Sequence, residues 1–90
     1  MKLYWKERRA GQQLVLLSDD GTELEVGGIR RTDHGFNAFA KTMGYDPSRA
    51  RNDIPTMEEA KVFVESLSPW EPYVGGEGVS VDPDVKPLDS

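Results

Sequence analysis

Apolar and polar residues alternate along the first third of the chain, the period-2 pattern of strands that bury one face. From Leu3 to Arg8, Leu3, Trp5 and Glu7 fall on one side and Tyr4, Lys6 and Arg8 on the other. Gln13 to Leu17 is a denser apolar run, and Arg9-Ala10-Gly11-Gln12 between the two can turn. Ser18-Asp19-Asp20-Gly21 is the clearest hairpin signal, because Asp-Gly tolerates the positive φ values that tight strand connections need. A third strand is predicted over Thr22–Arg30, with Leu24 and Val26 on one face and a bulge or bend at Gly27-Gly28. After the turn Thr32-Asp33-His34-Gly35 the pattern is divided. Phe36, Ala38 and Ala40 alternate as in a strand, whereas Phe36, Phe39, Ala40 and Met43 sit at helical spacing, with Asp33 as N-cap and Gly44 as stop. The strand is preferred because it continues a meander.

Asp46-Pro47 and Ile54-Pro55 each push the residue before proline out of the helical region, so Tyr45 to Pro55 reads as a loop. Thr56-Met57-Glu58-Glu59 is a capping box and opens a helix. Met57, Ala60, Phe63, Val64 and Leu67 fall on one stripe, Glu58 and Glu59 suit the positive end of the helix dipole, and Ser68-Pro69 ends the element. Beyond Ser68 the chain carries four of its six prolines and only scattered apolar residues. Trp70-Glu71-Pro72-Tyr73 can pin the start of this stretch, and Gly75 to Ser90 is expected to be mobile.

The pattern therefore predicts an α+β domain over residues 1–68. It has a three- or four-stranded antiparallel meander with one C-terminal helix packed on one face. A Pro/Gly-rich acidic tail over 69–90, mostly disordered, follows. Ninety residues allow one domain, and so short a chain hides only about 60% of its unfolded surface. A homodimer is one way to supplement such a core.

Composition changes the picture in two respects. The chain has no cysteine, so no disulfide staples it, and a reducing cytoplasm is the expected compartment. No apolar run approaches the roughly 20 residues of a membrane span, so no membrane partner is expected. The net charge of −5 is unevenly spread. Through residue 55, nine Lys/Arg stand against eight Asp/Glu, and beyond it two stand against eight. The acidic half reads as a solvated helix face with a solubilising tail, and alternatively as a mimic of a nucleic-acid backbone or a ligand for a basic protein surface.

The hairpin ending in Gly35-Phe36-Asn37-Ala38-Phe39-Ala40-Lys41, followed by a loop and Thr56-Met57-Glu58-Glu59-Ala60-Lys61 opening a helix, resembles short bacterial and phage-encoded proteins of the βββα type. Most of these have no assigned activity. The resemblance implies a fold and a mobile-element origin, and it carries over no site.

Catalysis lacks its usual parts. The chain has one histidine, His34, in a predicted turn, and no cysteine, so no nucleophile–base pair is apparent. Asp82-Pro83-Asp84 and Asp19-Asp20 lack the spaced ligands of a calcium loop, and one histidine cannot build a zinc site. Gly75-Gly76-Glu77-Gly78 lacks the lysine and helix of a phosphate cradle. No enzyme activity, cofactor or metal is expected. The basic residues are more informative. In a meander the first and third turns share one end of the sheet, which gathers Arg8 and Arg9 with Arg30 and Arg31, while Arg49 and Arg51 add charge from the long loop. One helix cannot cover both sheet faces, and only one of Tyr4 and Trp5 can point inward. The candidate binding surface is therefore Tyr4, Arg8, Arg9, Arg30, Arg31, Arg49 and Arg51. Its expected partner is another protein, and its alternative is nucleic acid held by the same rim.

Overall fold

The computed structural model describes residues 2–41, 49–74, 80–82 and 84–87. β1 (Lys2–Arg8), β2 (Gly11–Leu17), β3 (Glu23–Thr32), β4 (Gly35–Ala40) and β5 (Ala50–Ile54) form one antiparallel sheet in chain order. α1 (Met57–Ser66) and a short helix, α2 (Glu71–Val74), follow. The class is α+β, a meander with one helix packed across it, and the strands number five rather than three or four.

Register explains which side chains go inward. Leu3 pairs with Leu16 and Trp5 with Leu14, so the alternation read in the sequence places all four on the face that α1 covers. The β2–β3 turn closes through Ser18 N–H to Thr22 O (2.9 Å) and Gly21 N–H to Ser18 O (3.0 Å), with Gly21 at φ +88°. Asp20 accepts from the Thr22 amide at 2.9 Å and from the Ser18 hydroxyl. The Ser18 hydroxyl above all, with the Thr22 amide, lowers its carboxyl to about 2.

The register of β2 against β3 slips between Leu14 and Val15, opposite Val26. The bulge predicted at Gly27-Gly28 thus begins one residue earlier. Successive residues at such a bulge can face the same side, and here Val26 is fully buried in the core while Gly27 lies under α1. A Cβ on Gly27 would stand 2.7 Å from Val64 Cγ1, so the helix approaches closely because glycine is there.

Residues 35–40 are a strand, which resolves the divided pattern after His34, and Met43 lies outside the described residues. The expectation of an unbroken loop from Tyr45 to Pro55 is corrected: Ala50–Ile54 pairs with β4 as the fifth strand, whereas positions 45–48 lie outside the described residues. Of β5 only Ile54 is buried, so Ala-Arg-Asn-Asp-Ile carries no apolar alternation to read. It becomes a strand because the outer edge of β4 offers backbone hydrogen-bonding groups that require partners. Asp53 at φ +58° takes up a register shift there, with its amide donating to Asn37 Oδ1 at 3.2 Å.

α1 begins where its capping signal predicts, with the Glu59 amide donating to Thr56 Oγ1 at 3.1 Å. Ala60 and Val64 are buried, and Met57 and Phe63 pack beside them. The packed part of the chain runs past Ser68. Pro69 is fully buried, Trp70 packs on the core and Val74 is inside it. Farther on, Val81 bridges Leu3 and Lys86 bridges Lys6, both in parallel with β1.

Candidate functional site

The β1–β2 and β3–β4 turns share one end of the sheet, and the Arg31 amide donates to Ala10 O between them. Gly11 pairs with Arg8 on one side and Arg30 on the other, so these two arginines share a row two strand spacings apart, roughly 10 Å. Paired residues project from the same face of a sheet, here the one opposite α1. Arg9 occupies the turn, and the Arg31 guanidinium lies 6.0 Å from the Phe36 ring centre on the helix side. All four are exposed, and among the described residues none is held in an ion pair. His34 is exposed in the neighbouring turn, its amide donating to Thr32 Oγ1.

Between Arg8 and Arg30 the open face sinks into a hollow of about 360 Å³. Its floor is backbone at Gly11 and Gly28, and Gln13, Glu25 and Phe39 stand around it. The Phe39 ring lies across Gly28, where a Cβ would come within 2.7 Å of its Cζ. Arg8 Nε donates to Gln13 Oε1, which holds that guanidinium over the hollow's edge, and Lys41 pairs with Glu25 at 3.0 Å on the far side. Among the described residues one side of the hollow is thus cationic without a counter-ion, and the other is neutralised. Guanidinium groups so placed suit carboxylates or phosphates, which accept two parallel N–H donors.

The remaining candidates go elsewhere. Arg49 is half-buried and donates through Nη2 to Leu67 O at 3.2 Å, capping the end of α1. Arg51 pairs with Ala38 and lies beside Glu58, Glu59 and Val62 on the helix side. Neither joins the hollow. Tyr4 is on the open face but only 7% exposed. Its hydroxyl donates to Glu23 Oε1 at 3.0 Å, and the Lys86 ammonium sits 6.0 Å from its ring centre. Lys6 reaches the same Glu23 at 3.7 Å. This second hollow, about 750 Å³ between the open face and Ser80, Val81, Asp82, Lys86 and Pro87, is walled by both charge signs.

The sequence did not single out Gly11, Gln13, Glu25, Gly28 or Phe39 as lining one place. The double glycine on a strand beside an alternating aromatic strand was the available signal. Among the described residues no three His, Asp or Glu side chains converge as a metal would require, and no helix is long and apolar enough to cross a membrane. No protein-family model, curated protein or solved structure matches the chain.

Proposed function

We infer that the chain is a non-catalytic accessory module that docks another protein by an acidic segment, through the arginine-bearing end of the sheet and the hollow beside it. One observation carries this reading: Arg8, Arg9, Arg30 and Arg31 gather exposed and without ion pairs among the described residues, in a chain of net charge −5. Exposed guanidinium groups beside an aromatic ring have the composition of binding hot spots. A single-stranded nucleic acid is the second reading, favoured by half-buried Phe39 beside Arg30, since a base can stack on such a ring. It ranks lower because stacking binders use several aromatics in succession. Here Tyr4, the other open-face candidate, is covered.

Amide-resolved NMR titration separates the two. An acidic peptide such as oligoglutamate is expected to shift Arg8, Gly28, Arg30 and Phe39, and R8E/R30E should abolish those shifts without moving the melting temperature by more than a few degrees. Shifts with single-stranded oligonucleotide and none with peptide would transfer the surface to the second reading. Silence with both would remove it.

A further inference from the structure

β1 is an edge strand. Its hairpin register with β2 makes Arg8 and Gly11 the closing pair, so the backbone groups of Lys2, Tyr4, Lys6 and Arg8 face β2, and those of Leu3, Trp5 and Glu7 face outward. Three outward groups are taken by the C-terminal segment: Asp82 N–H donates to Leu3 O (2.8 Å), Lys86 N–H to Trp5 O (2.8 Å), and Glu7 N–H to Lys86 O (2.9 Å). Asp82 and Lys86, four positions apart, bond to Leu3 and Trp5, two positions apart, and the Asp84 amide donates to Asp82 Oδ1 at 2.9 Å. That amide and the Lys86 ammonium hold the Asp82 carboxyl below the usual range. Asp84, Val85, Lys86 and Pro87 are exposed. The cover is a few bonds on a strand whose Leu3 and Trp5 are 1% and 2% exposed.

A seven-residue edge with apolar residues at alternate positions is a template for pairing with another strand. We propose that residues 80–82 and 84–87 guard this edge, and that their release lets β1 pair antiparallel with β1 of a second copy, joining two sheets into one. The second copy is the fitting occupant because an antiparallel pairing of the strand with itself sets its outward backbone groups, at Leu3, Trp5 and Glu7, opposite the same three positions. The register with the greatest overlap centres on Trp5, sets Trp5 opposite Trp5 and Leu3 opposite Glu7, and brings Tyr4 opposite Lys6, replacing the Lys86 ammonium that now lies over that ring. Lys2 then faces Arg8 across the pair, so the association tightens with salt. The two-fold pairing closes on itself and stops at a dimer, because each copy's far edge is the irregular β5.

The test uses the full chain with D82P and K86P, which remove the two N–H donors from the tail to β1 and leave the core untouched. Two lost hydrogen bonds raise the released population by roughly thirtyfold. Sedimentation equilibrium should show dimer for D82P/K86P at concentrations where the unsubstituted chain is monomeric, with a dissociation constant at least tenfold lower. Adding E7P, which deletes an outward donor of β1 itself, should return the protein to monomer. A variant that keeps its far-UV circular dichroism, shows residues 80–87 at random-coil shifts and stays monomeric overturns the proposal, as does an unsubstituted chain that dimerises equally well. If the double variant loses its fold, V81D, which expels one half-buried side chain, is read by the same criteria.

Discussion

Gly27 and Gly28 are neighbours on β3, yet the same substitution should act on them differently. Gly27→Ala aims its methyl at α1, where it would stand 2.7 Å from Val64 Cγ1 and 3.0 Å from Phe39 O. Neither can yield easily, since Val64 is fully buried and the carbonyl is backbone. Overpacking of this kind costs about 1–3 kcal/mol, against roughly 0.4–1 kcal/mol regained from a stiffer unfolded chain. A net loss of about 1–2 kcal/mol is expected, or a melting temperature lowered by roughly 4–8 °C per kcal/mol. Gly28→Ala presses on Phe39 Cζ and Cε1, the far end of a side chain that can swing toward solvent, and meets Glu25 Oε1 at an ordinary 3.5 Å, so its net cost should stay under about 0.5 kcal/mol. Val64→Ala by itself removes two buried carbons and leaves a void, costing about 2–3 kcal/mol. In Gly27→Ala/Val64→Ala the new methyl occupies part of that void. The double variant should therefore be about 1 kcal/mol more stable than the sum of its parts, the contact with Phe39 O limiting the rescue. Urea unfolding followed by tryptophan fluorescence reads this directly, because Trp5 is in the core and Trp70 packs against it. Equal costs at the two glycines, or additivity within about 0.3 kcal/mol, would refute the close helix–sheet approach inferred at Gly27.

Two further outcomes follow from local geometry. Thr56→Ala removes the acceptor of the Glu59 amide and should cost about 1 kcal/mol, with Thr56→Ser recovering most of it in urea titrations. Asp20, whose carboxyl is lowered to about 2 by the Ser18 hydroxyl and the Thr22 amide, supports its turn fully above its unfolded pKa of about 4. That support is lost as pH falls through about 2, so the Thr22 amide resonance should move over this window and stay still between pH 5 and 8, whereas Asp20→Asn should flatten the titration.

The amino-acid sequence alone determined those elements in which local chemistry and burial agree. β1 alternates because one face meets the helix, β2 is a dense apolar run, Gly21 marks a backbone turned to positive φ, and Thr56 supplies a cap within its own helix. The arginine end was legible for a related reason: meander connectivity fixes which turns share an end, and Arg8, Arg9, Arg30 and Arg31 flank those turns. Tertiary structure decided everything that depends on what lies across space. β5 has a single buried apolar side chain and exists because β4 needed a partner. Arg49 and Arg51 were read as adding charge from the long loop but are drawn to the end of α1 and to its side of the sheet. Tyr4 alternates as an exposed residue should, yet the return of Lys86 and the reach of Glu23 cover it. The hollow between Arg8 and Arg30 is floored by two glycines 17 positions apart, set diagonally on neighbouring strands only by strand register. Periodicity records which way a side chain points. It does not record what arrives from elsewhere in the chain to meet it.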